Sequence, residues 1–378
     1  MARMMSAIRK VRPEQGLVIE DIPVPAIEPD EVLIQVEAAS ICGTDLHIWR
    51  WDEWSQHRIK PPLTIGHEFA GTIVEVGSKV EHARVGDYVS AESHVTCGMC
   101  YQCRTGQRHL CPKTRILGVD REGVFANYAA VPEQVIWLND REKLPTEIAS
   151  IQEPFGNAVF ATLSKDVTGQ SVAVFGCGPI GCFSVGIAKA SGASVVYATD
   201  VNDFRLDLAR QMGADAVFNP RELPGGDMVS TLIAANGNLG IDIIIEMSGA
   251  PPAITAAFQA VRNGGTVVLF GIPSNKVELD VAENMIFKNL TVLAVNGRKI
   301  FDTWYRTQWL LANKVVDVRP LISKRVRFDE IDDAMELLAA GKACKIVLTP
   351  EHREPVPVPA LDRAAEEDPD ITGKIKHP

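Results

Sequence analysis

The sequence predicts an α/β fold, in which a doubly wound parallel sheet follows a smaller, mostly β domain. From about residue 157 to 298, apolar strands alternate with helical segments, as they do in a parallel sheet with crossover helices. Before residue 157, short β-branched runs are separated by turn residues, which is typical of a small barrel-like domain. A chain of 378 residues is long enough for two such domains.

Composition excludes several classes of function. The formal charge of −10 argues against a nucleic-acid partner, because phosphate binding requires a basic face. No apolar run approaches the ~18 residues that a membrane helix needs, so no membrane partner is expected. Residues 1–10 lack the apolar core of a secretory signal, and the eight cysteines then favour metal ligation over disulfides. We therefore expect a cytoplasmic protein.

The β domain is predicted from three apolar, β-branched strands bounded by Pro, Gly, Asp and Glu: residues 32–36, 71–77 and 85–89. Separated loops around them offer a thiol, an imidazole and two carboxylates: Cys42, His67, Glu68 and Glu153. Such a mixture is usual in a catalytic zinc site, which takes three protein ligands and leaves one position open. Thr44 and His47 then offer a hydroxyl and an imidazole that can carry a proton away from the metal.

Three tryptophans, Trp49, Trp51 and Trp54, lie within six residues of a polar segment. They can simply pack against the domain, or they can wall a substrate pocket or a subunit contact. The sequence leaves these alternatives open.

Four cysteines give the strongest local signal. Cys97, Cys100, Cys103 and Cys111 follow the spacing C-x2-C-x2-C-x7-C within a lobe at about residues 94–113. Four thiolates predict a closed, structural zinc site. An iron–sulfur cluster is the alternative, since proline follows the last cysteine, but its bacterial spacing has three residues in the final gap instead of seven.

A Rossmann sheet is predicted from the apolar strand 171–175 and the run Gly176-Cys177-Gly178-Pro179-Ile180-Gly181 that opens the next helix. The glycines let backbone amides approach a pyrophosphate at the helix N-terminus. Asp200, at the end of the second strand, is placed to accept hydrogen bonds from the adenosine ribose and favours NAD over NADP. Arg205 could bind a phosphate, but we expect it to pack on the adenine side.

Five further strands continue the alternation, at residues 194–199, 216–218, 241–246, 266–270 and 290–295. Helices are predicted between them at residues 183–191, 203–212, 228–235 and 253–261. Two strand ends lie on the carboxyl side of the sheet, where a nicotinamide would rest, at Phe270, Gly271, Ile272, Val295 and Asn296.

The rest of the chain is too short for a domain of its own. Helices at 303–312 and 330–340 and a strand at 345–348 are expected to rejoin the β domain. The predicted division is therefore 1–157 for the first domain, 158–298 for the Rossmann domain and 299–350 for the return. Residues 351–378 are rich in Pro, Glu and Asp and are expected to form a mobile or surface-draped tail.

Taken in this order, the zinc ligands, the four-cysteine lobe and the dinucleotide fold resemble the zinc-dependent medium-chain alcohol dehydrogenases over about residues 6–350. The segments 51–56, 246–251 and 301–305 narrow the resemblance to the branch whose members oxidise L-threonine. The resemblance implies a GroES-like catalytic domain, two zinc ions per subunit, NAD, oxidation of L-threonine to 2-amino-3-ketobutyrate, and homotetramers.

The resemblance also implies roles for single residues. Cys42, His67 and Glu68 match the catalytic zinc ligands, Thr44 and His47 match the proton relay, and Glu153 matches a nearby acid that can exchange as a ligand. His94 matches a histidine near the substrate. The cofactor contacts fall on Ile180, Asp200, Arg205, Phe270, Gly271, Ile272, Val295 and Asn296.

The sequence departs from the family pattern at Gln152-Glu153, at Asn296 and in its tail. These departures bear on the substrate more than on the reaction. A polyol or 2,3-butanediol dehydrogenase of the same superfamily is therefore the nearest alternative, and a non-catalytic NAD-binding assembly module is a remote one.

Overall fold

The computed structural model describes residues 3–351, so the predicted tail lies almost entirely outside the described residues. The first part of the chain is mostly β. Its strands are β1 (Met4–Lys10), β2 (Val18–Pro23), β3 (Glu31–Ser40), β4 (Leu63–Thr64), β5 (Glu68–Val76), β6 (Tyr88–Ala91), β7 (His94–Val95), β8 (Arg115–Ile116), β9 (Tyr128–Pro132) and β10 (Ile136–Leu138). Its helices are α1 (Gly43–Arg50), α2 (Glu53–Arg58), α3 (Tyr101–Arg104), α4 (Thr146–Ala149) and α5 (Gln152–Thr162).

The second part alternates strand and helix. Its strands are β11 (Ser171–Phe175), β12 (Val195–Thr199), β13 (Ala216–Phe218), β14 (Ile241–Glu246), β15 (Val261–Leu269) and β16 (Thr291–Ala294). Its helices are α6 (Pro179–Ala190), α7 (Asp203–Gln211), α8 (Met228–Ala235) and α9 (Pro251–Ala260). The chain then continues through α10 (Asp302–Ala312), β17 (Ile322–Arg327), α11 (Ile331–Ala339) and β18 (Lys345–Thr349).

The six strands of the second part form one parallel sheet in the order β13-β12-β11-β14-β15-β16. This order places β11, the first strand, in the middle of the sheet. The next two strands are added on one side of it and the last three on the other, which is the arrangement of a dinucleotide-binding sheet. The predicted doubly wound sheet is confirmed. All of its carboxyl ends lie on one edge, where the glycine-rich turn follows β11.

The larger sheet of the first part is mainly antiparallel. Its strand order is β10-β6-β5-β3-β18-β17, and β9 also pairs with β3. β18 pairs antiparallel with β3, with Val347 opposite Ser40. The last strand of the described chain therefore lies next to the strand that leads into Cys42.

Several element boundaries differ from the prediction, and two of the differences have clear local reasons. The strand predicted at residues 85–89 begins at Tyr88, because the Asp87 carboxylate accepts from the Arg84 amide and closes a turn before it. The helix predicted from residue 183 begins at Pro179, since Gly178 caps it and proline is favoured in the first helical turn.

A continuous apolar core covers the inner face of the parallel sheet, and it includes Phe155, Phe183 and Val185. A second core fills the β domain around Ile34, Phe69 and Phe125. Among residues 3–351, none of the helices combines the length and apolar character needed to cross a bilayer.

Candidate active site

Strand pairing brings Cys42 next to His67. Ser40, the last residue of β3, lies opposite Glu68, the first residue of β5. Cys42 follows two residues after Ser40 and is the N-cap of α1, while His67 directly precedes Glu68. The register of these two strands therefore brings together side chains that are 25 positions apart in the sequence.

The donor atoms of Cys42, His67 and Glu68, which we call the donor cluster, all lie within 4.8 Å of one another. Within the described chain, the buried atoms Nδ1 of His67 and Oε1 of Glu68 have no hydrogen-bond partner. Buried polar atoms are rarely left without a partner in native proteins. A thiolate, an imidazole and a carboxylate are the donors that zinc prefers, so this set fits a zinc ion.

The surroundings of the cluster are negative. Asp45 is buried, with Oδ2 accepting from the Cys42 amide at 2.8 Å and Oδ1 4.0 Å from Nδ1 of His67. Burial raises the pKa of Asp45 to about 6. For the His67 ring, burial by itself lowers the pKa, but the negative charges of Cys42, Asp45 and Glu153 outweigh burial and raise this pKa to about 10. The site therefore favours a cation.

A buried lysine holds the second oxygen of Glu68. Oε2 accepts hydrogen bonds from the Ser40 hydroxyl and from Nζ of Lys345. Nζ also donates to the carbonyl of Ile41 at 2.8 Å. Burial lowers the pKa of Lys345, but the charges of Glu68 and Cys42 outweigh burial and raise it. Lys345 therefore stays charged and leaves Oε1 as the uncommitted oxygen of Glu68.

Arg298 holds a second set of acidic side chains, those of Glu92 and Glu153. Its Nη2 lies 2.7 Å from Oε1 of Glu153, and its Nε donates to Oε2 of Glu92 at 2.7 Å. Burial would raise the pKa of Glu92, but the charge of Arg298 dominates and lowers it to about 2. The pKa of Glu153 is also lowered, chiefly because the charges of Arg298 and His67 outweigh its burial. Both carboxylates are therefore ionised.

His94 lies at the edge of this group. Its Nδ1 is 3.0 Å from Oε1 of Glu92 and 2.9 Å from the hydroxyl of Ser93, which in turn donates to Glu153 at 2.6 Å. The ionised Glu92 only accepts, and its contact with Nδ1 of His94 is shorter than that of the donor Nη2 of Arg298, which lies 3.3 Å from the same nitrogen. This geometry favours the proton on Nδ1 and leaves Nε2 as an acceptor. The ligand atoms of Glu92, His94 and Glu153 also lie within 4.8 Å of one another, but both acids are already paired with Arg298.

The residues predicted as a proton relay lie on α1. Oγ1 of Thr44 is 3.8 Å from Sγ of Cys42, and His47 lies three residues later with 56% of its side chain exposed. Nδ1 of His47 is hydrogen-bonded to Asp52, so its Nε2 is free to take a proton. The helix thus leads from the donor cluster to solvent.

The three tryptophans have different surroundings. Trp49 is buried and donates to Asp332 at 3.2 Å, which is a packing role. Trp54 is exposed, and its ring centroid lies 6.0 Å from that of His47. The packing alternative therefore describes Trp49, whereas Trp54 borders the relay.

The four-cysteine lobe is compact. The sulfurs of Cys97, Cys100, Cys103 and Cys111 lie within 4.8 Å of one another. Amides of Met99 and Cys100 donate to the Cys97 sulfur and lower its pKa to about 6. A thiolate favoured by backbone amides is suited to a metal, and four sulfurs at this spacing fit a closed tetrahedral zinc site.

The glycine-rich turn has the shape that a pyrophosphate requires. Gly176 has φ +93°, and a Cβ there would meet Ser248 at 2.7 Å. Gly178 faces open space, and a Cβ on Gly181 would collide with the Gly176 carbonyl. Pro179 and Ile180 begin α6, whose first-turn amides have no partners within the helix. The turn therefore fits the diphosphate of a dinucleotide.

Asp200 is fixed at the end of β12. Its Oδ2 accepts from the Cys177 amide at 2.7 Å and its Oδ1 from the Asn202 amide at 2.9 Å. Nη1 of Arg205 lies 3.9 Å from the same carboxylate. The positive charge of Arg205 is therefore balanced by Asp200, in keeping with a position beside the adenosine instead of a phosphate.

The remaining predicted cofactor residues lie at neighbouring strand ends. The amides of Phe270 and Gly271 donate to the Glu246 carbonyl at 3.0 Å, and the Val295 amide donates to Leu269 at 2.9 Å. Ile272 is 89% exposed and Asn296 is also exposed. These positions lie at the carboxyl ends of β15 and β16, on the side of the parallel sheet that carries the glycine-rich turn.

Sequence reasoning missed four residues of the site: Glu92, Ser93, Arg298 and Lys345. The signal for Lys345 was a lysine that begins an otherwise apolar strand, and the signal for Arg298 was a charged residue directly after a strand end. Neither signal reveals a partner that lies 206 or 277 positions away.

Comparison with known proteins identifies the family. Residues 28–140 match the model of the alcohol dehydrogenase GroES-like domain, and residues 179–313 match that of the zinc-binding dehydrogenases. An L-threonine 3-dehydrogenase from Symbiobacterium thermophilum is 47% identical over 93% of this chain and 99% of its own length. Another from Pyrococcus abyssi is 46% identical over 92% of this chain and 99% of its own length.

A solved structure extends the likeness to the fold. The 2R,3R-butanediol dehydrogenase of Bacillus subtilis superposes with a TM-score of 0.82 and 28% identity, covering 92% of this chain and 100% of its own. The family predicted from the sequence is confirmed. The chain belongs to the zinc-dependent medium-chain alcohol dehydrogenases, in the branch that contains these L-threonine 3-dehydrogenases.

Proposed function

We propose that this chain oxidises L-threonine to 2-amino-3-ketobutyrate and transfers a hydride to NAD. One observation carries the proposal: relatives named L-threonine 3-dehydrogenase match almost the whole chain at 43–47% identity. The butanediol dehydrogenase matches at 28% and is a weaker guide to the substrate. The similarity to the L-threonine 3-dehydrogenases covers both the donor cluster and the dinucleotide turn.

Cys42, His67 and Glu68 would hold the catalytic zinc, and the four lobe cysteines would hold the structural one. A zinc ion held by the first set would lower the pKa of a substrate hydroxyl, and bound NAD would accept the hydride. Glu153 is proposed as the nearby acid and not as the resting ligand, because its Oε1 is already engaged by Ser93 and Arg298.

The protein's own part in the reaction is to move a proton and to position the substrate. Thr44 is proposed to accept the proton of the substrate hydroxyl, since its Oγ1 lies beside the donor cluster. His47 is proposed to release it to water from Nε2, while Asp52 fixes the ring through Nδ1. His94 presents an acceptor at Nε2 to a donor group of the substrate, with Glu92 fixing its tautomer.

The cofactor residues are proposed to divide the dinucleotide between them. The turn at Gly176, Gly178, Pro179, Ile180 and Gly181 would face the diphosphate, and Asp200 would accept from the adenosine ribose. A fixed carboxylate at that position repels a 2′-phosphate, which favours NAD. The strand ends at residues 270–272 and 295–296 would border the nicotinamide.

We further propose a cytoplasmic homotetramer, with the domain division 1–157, 158–298 and 299–350. β16 is the outer strand of the parallel sheet, and much of it is exposed. The neighbouring Phe287 is 70% exposed. An open strand edge beside exposed apolar groups favours pairing with another copy. Light scattering on the purified protein would give the mass, and a monomer would contradict this assembly.

The substrate is tested by NADH formation in the zinc-loaded protein. L-threonine is offered beside D-threonine, sorbitol and 2,3-butanediol, each with NAD and with NADP. Selective reduction of NAD with L-threonine is the expected result. Turnover of sorbitol or butanediol with silence on L-threonine would overturn the substrate assignment, and a preference for NADP would overturn the role of Asp200.

A further inference from the structure

An aromatic groove of about 510 Å³ lies between β10 and α10, away from the donor cluster. Trp137 forms its floor, and Phe301 and Tyr305 form one wall. The ring centroid of Trp137 lies 6.0 Å from that of Phe301 in a stacked arrangement. It lies 4.9 Å from that of Tyr305 in an edge-on arrangement. Ile136 and Leu138 complete the apolar lining. Nothing in the proposed reaction uses this groove.

The sequence that follows the last described residue contains an occupant of matching chemistry. Residues 355–359 read Pro355-Val356-Pro357-Val358-Pro359, followed by Ala360 and Leu361. Proline fixes φ near −65°, so alternating prolines favour the polyproline II conformation. Grooves lined by tryptophan and tyrosine are the usual receptors for such segments, because the segment is already ordered and loses little entropy on binding.

Trp137 adds a specific donor to the groove. Its indole N–H is buried and has no acceptor within residues 3–351. A proline-rich segment lacks amide donors at its prolines but keeps all of its carbonyl acceptors. Docking of the segment would bring such carbonyls beside the residue that carries this unpartnered N–H.

The length of the chain permits the contact. The Glu351 carbonyl accepts from Nδ2 of Asn127, directly before β9. β9 then runs for five residues, about 17 Å at the rise of a strand, and Glu133 and Gln134 after its end line the groove. From Glu351, an extended chain reaches about 13 Å at Pro355 and about 26 Å at Pro359. The proline segment therefore spans the required distance.

The rim of the groove carries negative charge. Asp30 and Glu133 lie on the groove rim, and the Glu133 carboxylate accepts from three successive backbone amides. Burial would raise the pKa of Glu133, but these amides outweigh burial and lower it, so the group is ionised. In the sequence, Arg353 and Glu354 directly precede the proline segment and carry opposite charges.

From the aromatic lining and the reach we infer that residues 355–361 of the same chain dock in the groove formed by Trp137, Phe301 and Tyr305. The inference does not depend on the identity of the substrate. It concerns a segment of this chain and a surface that carries no catalytic group.

The test places a photo-crosslinker in the full-length, zinc-loaded protein by the substitution Val356→benzoylphenylalanine. After irradiation, mass spectrometry is expected to find the crosslink on β10 or α10. The same probe in place of Ile371, well beyond the proline segment, serves as the matched control and should not label the groove. Crosslinks confined to another surface, or none at all, would overturn the inference.

Two variants examine specificity. Tyr305→Ala, in the groove wall, should reduce the crosslink yield about tenfold, equivalent to about 1.4 kcal/mol of binding. Trp309→Ala, on the same helix and similarly exposed but outside the lining, should leave the yield unchanged. Equal yields in the two variants would contradict docking in this groove.

Oligomers reassembled from a denatured mixture of ¹⁵N-labelled and unlabelled chains identify the chain that provides the segment. Crosslinks within one isotopic form support the inference. Crosslinks between the two forms would overturn docking within one chain and assign the groove to a neighbouring copy. NADH formation measured beside these experiments reports the proposed function separately, so that failure of one does not imply failure of the other.

Discussion

Arg298 lies 2.7 Å from Glu153 and forms a second, buried ion pair with Glu92, so that a single guanidinium pairs with two carboxylates beside the donor cluster. Nη1 of Arg298 also donates to Asn157 at 3.0 Å. The planar guanidinium can reach all three groups at once, which a lysine cannot do. The position of Glu153 relative to His67 therefore depends on Arg298.

Replacing Arg298 should be severe. Arg298→Met leaves two buried carboxylates without their cationic partner, and we expect a loss of about 3–5 kcal/mol in the free energy of unfolding. We also expect turnover to fall by at least about 100-fold, because small displacements of a site group have effects of that size. Urea unfolding and NADH formation provide the two measurements.

A surface pair provides the control. Arg306 and Asp302 form an exposed ion pair on α10, with side chains more than half accessible. Arg306→Met should change the free energy of unfolding by less than about 1 kcal/mol. Comparable losses in the two variants would show that Arg298 is an ordinary surface-type partner.

The lowered pKa of Glu92 predicts a dependence of stability on pH. In the folded protein the pKa is about 2, against an ordinary value of 4.5, because the charge of Arg298 outweighs burial. Such a group stabilises the fold fully above its unfolded pKa and loses that contribution as the pH falls toward its folded pKa. The stabilisation, on the order of 3 kcal/mol, should therefore disappear between about pH 4.5 and pH 2.

The comparison that isolates Glu92 uses Glu92→Gln. The difference in unfolding free energy between the parent protein and this variant should be largest above pH 5 and should narrow on acidification. Unfolding measured at several pH values between 6 and 3 would show it. A difference that stays constant over this range would mean that folding does not shift the pKa of Glu92.

The two cysteine clusters should respond differently to serine. Cys42→Ser removes one of three donors in the open cluster, and we expect loss of one zinc per chain and of all turnover with the fold intact. Metal analysis and circular dichroism measure these outcomes. Full activity in this variant would exclude Cys42 as a ligand.

Cys97→Ser is the matched substitution in the closed cluster. A closed four-sulfur site contributes folding free energy and no chemistry. The variant should therefore unfold at a lower temperature while the properly folded fraction keeps its turnover. Loss of turnover without loss of stability would reverse the two roles.

Asp52→Asn tests the relay without removing the helix cap. Asp52 is the N-cap of α2 and accepts from the Ser55 amide at 3.0 Å, and asparagine caps equally well. Its amide can no longer fix the proton on Nδ1 of His47. Turnover should fall about tenfold or more while the melting temperature is unchanged, since positioned proton transfer contributes roughly 100-fold or more. Unchanged turnover would remove Asp52 from the relay.

Much of the fold was predictable because its signals are local. The apolar strand 171–175, the glycine turn and Asp200 carry their meaning within 30 residues, and the cysteine lobe does so within 15. The donor cluster was predictable from residue types, but its geometry depends on the opposition of Ser40 and Glu68 across two strands.

The residues that were missed act across long separations. Glu92 meets Arg298 over 206 positions and Glu68 meets Lys345 over 277. A buried charge is stable only beside its partner, and one sequence shows which charges exist but not which of them are neighbours. The strand 345–348 was predicted, whereas its lysine was not recognised as part of the site.

The position of Lys345 near the end of the described chain has a consequence for biosynthesis. Glu68 leaves the ribosome early, but the cation that neutralises it belongs to β18 and is made almost 280 residues later. At a synthesis rate of about 5–20 residues per second, that delay is on the order of 14–55 s. Throughout this time the nascent β domain holds the Glu68 carboxylate without its lysine partner. It also lacks β18, one of the strands that pair with β3. The active site is therefore completed only after nearly the whole chain has been translated.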